Sequence, residues 1–265
     1  RSPAAVSDIE YLGPEPDRWR SATEPSLKNE QEPEHFIDLE LLDAFGPLPA
    51  KRFDFEKQLE TFQRDQQAKG NPSAANLTPD KVGLQPWVVA EVWERLIVAF
   101  RQYRAAKQQG LPTAHAEATA IYYAGWLGHY VADASNPLHT TVQYNGWTGP
   151  NPNHYTTQHT IHWHFESEYV HANLKPQEIT PLLHQPKPMP AGWEGEWADY
   201  LAYLKHSNSL VEPLYKLDSA GAFREAGTPD GHKFTVARLA EGAQKLSDMW
   251  YSAWLQSAVP VPDRP

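Results

Sequence analysis

Apolar residues recur at three- and four-residue spacing along DFEKQLETFQRDQQ (54–67) and PWVVAEVWERLIVAFRQYRAAKQQG (86–110), the period of an amphipathic helix. The second run stops at Gly110, a residue suited to the left-handed conformation that closes helices. TAHAEATAIYYAGWLGHYVADAS (113–135) opens on Thr113 in an N-cap position and carries aromatic or aliphatic residues at 122, 123, 126, 127, 130 and 131. That pattern predicts a helix buried on most sides. TTQHTIHWHFESEYVHANL (156–174) and TVARLAEGAQKLSDMWYSAWLQSA (235–258) complete the main set. The expectation is an all-α fold with little strand: one mainly helical domain over 1–265, its long irregular loops supplied by 24 prolines.

Composition narrows the chemistry. A chain of 265 residues with 40% hydrophobic content can bury a core of ordinary size. No apolar run approaches the roughly 18 residues of a membrane span, so no transmembrane segment is expected. The absence of cysteine excludes disulfides and thiolate zinc sites, which leaves His, Asp and Glu to hold any metal. With 23 basic against 33 acidic residues the formal charge is −10, which opposes a broad phosphate-tracking surface for duplex nucleic acid. A single strand entering a metal-filled pocket is still compatible with that charge. The start RSPAAVSDIEYLGPEP shows no signal peptide and looks like a chain picked up partway.

HYVADASNPLH (129–139) places strong metal ligands on an apolar segment. His129 and Asp133 are four apart, so their Cβ atoms leave one helix face roughly 5–6 Å from each other, a gap one ion can bridge. SNP then ends the helix, because the residue before Pro137 is pushed out of helical geometry, and His139 arrives from the exit loop. The plain alternative is a buried histidine hydrogen-bonded to its aspartate. On 156–174 two further pairs share the spacing, His162 with Glu166 and His164 with Glu168. The apolar stripe through Ile161, Phe165, Tyr169 and Ala172 lies between them, so helical phase leaves a tie. His154, His159 and His171 are expected in loops or on the surface.

GHYVADASNPLH followed by HWHFE resembles the zinc-dependent phospholipase C and single-strand-specific nuclease superfamily, whose pattern is His-x-x-x-Asp, Pro-x-His, then His-x-x-x-Glu or Asp. The phospholipase branch writes the last element His-x-x-Phe-Glu, which selects His162 and Glu166 and leaves His164 and Glu168 outside the ligand set. PEHFIDLE (33–40) is similar to the family's His-Phe/Tyr-Ile-Asp element, PDRWR (16–20) to the segment that supplies an earlier aspartate, and RLAEGAQKLSDMWYSAW (238–254) to its closing helix.

The resemblance implies two zinc sites in this chain. Asp17, His35, His129 and Asp133 would hold one ion, and His139, His162 and Glu166 its partner. A hydroxide between the ions would attack phosphorus in line, and Asp17 would orient or deprotonate the attacking water. A third zinc, bridged by Asp133, needs an N-terminal Trp and an early histidine. Nothing precedes Arg1 and the first histidine is His35, so the expectation is either that an N-terminal segment is missing or that the third site is absent. In the nuclease branch the Phe after the ligand histidine stacks on a nucleobase and the Asp reads its edge; Phe36 and Asp38 are the matching residues. The alternative is that Phe36, Ile37 and Leu39 pack while Asp38 caps a helix.

QYNGWTGPNPNH (143–154) departs from the Gly-Gly-Asn turn of fungal nucleases; Asn145 is the residue placed to do its hydrogen bonding, and Tyr144 and Trp147 fit a base pocket or a lipid-facing rim. Three functions follow as expectations. The first is a secreted or periplasmic, monomeric zinc nuclease or nucleotidase for single-stranded nucleic acid. The others are a phospholipase C acting on phospholipid head groups and a zinc-stabilised domain without catalysis. A carboxylate di-iron bundle fits less well: Glu32 and His35 have the Glu-x-x-His spacing, but Pro33 intervenes.

Overall fold

The computed structural model describes residues 3–260, so Arg1, where the sequence begins, lies outside the described residues. Three short helices open the chain: α1 (Pro3–Leu12), α2 (Glu15–Arg20) and α3 (Pro25–Gln31). Both α2 and α3 carry proline in the first turn, where its missing N–H has no helical partner to lose. The long helices follow: α4 (Arg52–Ala68), α5 (Gln85–Gln108) and α6 (Ala114–Asp133). Next comes α7, which runs as α-helix over Ile161–Trp163, π-helix over His164–Tyr169 and α-helix again over Val170–Asn173. The chain closes with α8 (Trp193–Asn208), α9 (Val211–Ser219) and α10 (Pro229–Gln256). Among the described residues no strand forms, only an isolated pairing of Tyr144 with Gly146, and the fold is all-α as expected. Among the described residues no helix is long and apolar enough to cross a membrane.

The helices pack around two apolar clusters. The larger draws Trp87, Val92 and Leu96 from α5, Leu127, Tyr130 and Val131 from α6, and Trp197, Tyr200 and Leu204 from α8. Its polar atoms are answered across elements: the Trp93 indole N–H donates to Met249 O at 2.8 Å, and Gln85 Nε2 to Tyr130 O and Tyr200 Oη, each at 2.7 Å. The smaller cluster gathers Leu138, Tyr155, Ile161, Phe165, Tyr169, Leu214, Tyr215 and Phe223. Each fully buried side chain of this size contributes about 1.5–3 kcal/mol. The π turn suits that cluster. Ile161, Phe165 and Tyr169 are four apart, a spacing that drifts roughly 40° per step on an α-helix, and the wider turn keeps all three buried.

Several boundaries differ from the sequence-based expectation. Residues 156–160 turn instead of coiling, because Thr156 Oγ1 accepts from Gln158 N at 3.2 Å, and α7 starts only at Ile161. At the C-terminus α10 starts at Pro229, six residues before Thr235, since Thr228 Oγ1 caps Gly231 N at 3.1 Å and Pro229 fits the first turn. Thr113 does not cap α6 with its side chain; its hydroxyl donates to Glu117 Oε1 at 2.7 Å. Gly110 adopts φ +69° just past α5, the left-handed closure expected there.

Candidate metal centre

Five pieces of the chain bring the candidate side chains together. The α2 helix brings Asp17, and the 3₁₀ turn Glu32–His35 brings His35. The end of α6 brings His129 and Asp133, and the next 3₁₀ turn, Pro137–His139, brings His139. The first turns of α7 bring His162 and Glu166. Backbone bonds knit the second and fourth of these pieces: Ile37 N donates to His139 O at 3.0 Å and Leu39 N to Thr140 O at 3.3 Å. Asn136 caps the Pro137–His139 turn, its Oδ1 accepting from Leu138 N at 3.0 Å while its Nδ2 donates to Glu166 Oε2 at 2.6 Å.

Two groups of donor atoms result. In the first, Asp17 Oδ1 stands 3.7 Å from His35 Nε2 and 3.8 Å from His129 Nε2, and His129 Nε2 lies 3.4 Å from Asp133 Oδ2. In the second, Glu166 Oε2 is 3.0 Å from both His139 Nε2 and His162 Nε2, which are 3.2 Å from each other. Asp133 Oδ2 joins the groups, 3.8 Å from His139 Nδ1. Asp17, His35 and His129 could hold one ion with Asp133 beside it, and His139, His162 and Glu166 a second.

The protein's own hydrogen bonds aim these atoms. His35 Nδ1 lies 2.8 Å from Gln31 O, His139 Nδ1 2.8 Å from His35 O, and His162 Nδ1 3.2 Å from Tyr144 O. A carbonyl can only accept, so each Nδ1 donates to it, which leaves each Nε2 facing inward. His35 Nε2, His129 Nε2 and Asp133 Oδ2 are buried and have no hydrogen-bond partner. Buried polar atoms left unpaired are costly, and lone pairs facing one point repel unless a cation or proton sits among them.

The electrostatics agree with that need. Burial, with His129 and Arg20 nearby, pushes His35 down to about 2, so it is a neutral donor at physiological pH. Burial also raises Asp133, although His139 and His129 oppose it. At His139 burial acts downward, but Asp133 and Glu166 outweigh it and lift the ring to about 9. Glu166 shows the complement: burial would raise it, and His139 and His162 hold it well below the usual carboxylate range. In the second group a proton can stand where a metal cation would; in the first, His35 Nε2 and His129 Nε2 have no hydrogen-bond partner.

His164 and Glu168 pair with each other on the exposed side of α7, away from His139. His154, His159 and His171 are exposed. Phe36 is half-buried, its ring laid against Gly83, where a Cβ would come within 2.8 Å of Phe36 Cδ2. Asp38, also half-buried, precedes the turn Leu39–Leu42 without capping it through its side chain. Burial and Glu40 push its carboxyl up to about 7. Asn145 is engaged within the protein: Nδ2 donates to His159 O at 3.2 Å and Oδ1 accepts from His162 N at 3.4 Å, so it positions the start of α7. Sequence reasoning missed Arg20, whose Nε meets Asp17 Oδ1 at 2.9 Å, and Asn136, although Asn before Pro is a recognisable turn signal. Comparison with protein-family models, with curated proteins and with solved structures found no match.

Proposed function

We propose that this protein is a two-zinc hydrolase of phosphodiester bonds, acting on single-stranded nucleic acid or nucleotides. The observation that carries the proposal is the convergence of three buried, partnerless atoms, His35 Nε2, His129 Nε2 and Asp133 Oδ2, beside a second cluster of two imidazoles and a carboxylate. The donors fit zinc: nitrogen and oxygen, no thiolate, with imidazoles whose far nitrogens are held by carbonyls. The motif resemblance to the zinc phospholipase and nuclease superfamily points the same way.

Zinc bound there would lower the pKa of a water to around 7 and polarise a phosphoryl oxygen. Asp17 is the open member of the ligand set, its side chain 44% exposed, which suits a carboxylate that also orients the attacking water and takes its proton. Arg20 holds Asp17 and presents a guanidinium at the same mouth, a planar donor for a phosphoryl oxygen. Asp133 and Asn136 act deeper, the first between the two clusters and the second on Glu166.

A nucleobase fits the flank better than a lipid head group. Phe36 offers a ring supported from behind by Gly83, and stacking on such a face is worth about 1–3 kcal/mol per base. Asp38, with its carboxyl near neutrality, is suited to a hydrogen bond with a base edge. Paired bases would not be free to reach either residue, and the net charge of −10 disfavours a duplex-tracking surface. The test is turnover by the zinc-loaded chain of a single-stranded oligonucleotide, the matching duplex and phosphatidylcholine. Single strands should be cleaved fastest. Faster turnover of phosphatidylcholine would replace this reading by the phospholipase one, and full zinc occupancy without hydrolysis by the non-catalytic one.

A further inference from the structure

Ahead of α8 the chain runs as LHQPKPMP (183–190), forming neither helix nor strand. A proline at every second position holds such a segment extended, and Pro186, Pro188 and Pro190 have no N–H to give. The amides around them are used. His184 N donates to Gln244 Oε1 at 2.8 Å, Lys187 N to Asp248 Oδ1 at 2.9 Å and Met189 N to Ser252 Oγ at 2.8 Å. The three acceptors are four residues apart, a ladder along one face of α10. Gln244 Nε2 braces Asp248 Oδ1 at 2.9 Å, and Ser252 Oγ donates to Asp248 O at 2.7 Å. Residues 183–190 are therefore a strap tied along α10 by three backbone bonds.

One side chain of the strap is its clasp. Met189 is partly buried against the larger apolar cluster, where it lines a narrow cavity with Trp93, Trp193, Trp197, Tyr200 and Met249. A thioether among aromatic rings is a favourable contact. The adjoining Pro190 sits closely on α8: a Cβ at Gly195 would come within 3.2 Å of Pro190 Cβ. By contrast His184, Gln185, Pro186, Lys187 and Pro188 face solvent. The cavity offers little to a polar guest. Trp93 spends its indole N–H on Met249 O at 2.8 Å and Trp197 on Leu48 O at 3.0 Å, while Tyr200 Oη is engaged by Gln85 Nε2 at 2.7 Å. Trp193 is 37% exposed, so the cavity wall reaches solvent.

We propose that Met189 is an oxidation site that works the strap. A hydroperoxide gives one oxygen to the thioether: an S–O bond forms, the O–O bond breaks, sulfur is oxidised to the sulfoxide and the peroxide is reduced to water or an alcohol. The sulfoxide is polar and a strong acceptor, and neither committed indole can donate to it. It moves to solvent, and the strap lifts from Gln244, Asp248 and Ser252. The face uncovered is aromatic, made of Trp93, Trp193 and Trp197. Met249, the chain's other methionine, is 2% exposed and stays reduced. The assignment is independent of the metal centre.

Hydrogen exchange tests it. The full chain is treated with hydrogen peroxide, mapped by peptide mass, and its amide exchange measured before and after. Met189 should gain one oxygen before Met249 does. The amides of His184, Lys187 and Met189 should then exchange roughly tenfold faster or more, while those within α5 keep their protection. Methionine sulfoxide reductases should restore slow exchange. Met189→Leu should keep the strap protected through the same peroxide dose, and Met189→Gln, polar and of similar length, should show fast strap exchange without peroxide. Met249→Leu should respond as the parent does. Resistance of Met189 to a dose that oxidises free methionine, full sulfoxide with unchanged strap exchange, or opening of the Met189→Leu strap by peroxide would overturn the proposal. Loss of protection throughout α5 would overturn it too, because the sulfoxide would then be unfolding the core and not lifting a strap.

Discussion

Chelation should cost this protein a large share of its stability. Without a cation, His35 Nε2, His129 Nε2 and Asp133 Oδ2 stay buried and unpaired, at about 1–3 kcal/mol each, or about 3–9 kcal/mol together. An independent route gives a similar size. An ion that binds only the folded chain adds about 2.7 kcal/mol at a hundredfold excess over its Kd, hence about 5 kcal/mol for two sites. For a chain of this length each kcal/mol moves the midpoint by about 2–4 °C, so zinc loading should raise Tm by about 10–20 °C. The assay is a thermal scan of EDTA-treated protein against the same protein refolded with zinc, with magnesium as control and metal content measured alongside. The gain should shrink as pH falls from 7.5 towards 5, because imidazole and carboxylate must be deprotonated to ligate. A shift under about 2 °C, with less than one zinc per chain after refolding, would refute the reasoning from the orphaned atoms.

Other consequences concern single residues. His162→Ala should lower zinc content by one ion per chain and abolish phosphodiester turnover, while His164→Ala, on the exposed side of α7, should retain both ions; elemental analysis separates them. Asp38→Asn should stabilise the zinc-free protein at neutral pH. Its folded pKa of about 7 exceeds the unfolded 3.8, so the folded state binds the extra proton, and the penalty grows as pH rises between those values and is complete above 7. After allowance for its half-exposed position the gain is about 1–2 kcal/mol, seen by urea unfolding at pH 8 and absent near pH 3.5. Gly83→Ala should cost about 2 kcal/mol or more, since its φ is +90° and the new Cβ would sit 2.1 Å from Phe36 O; denaturant unfolding measures it.

The linear sequence carried the class of fold because helical period is a local property. The apolar positions of α5 and α6 recur every three or four residues whatever surrounds them, and α8 shows the same signal in Trp197, Tyr200 and Leu204, although it was not singled out. His129 and Asp133 were legible for the same reason: four residues on one helix set their separation. Pro137 then accounts for the exit turn that carries His139. Local rules stop where two elements must meet. Which of the two equally spaced pairs on α7 faces His139 depends on how Ile161, Phe165 and Tyr169 seat against Phe223 and Leu214, and on a π turn that no residue spacing announces. Asp17 and His35 come to His129 only when α2 and the turn after α3 fold over α6, with contacts such as Trp19 on Trp126 at 5.1 Å. Tyr144 and Trp147 are three residues apart and both aromatic, yet Trp147 is partly buried against Tyr215 and Tyr144 is left to solvent. Packing made that choice, because burial is decided by what lies opposite a side chain, and the residue opposite is distant along the chain.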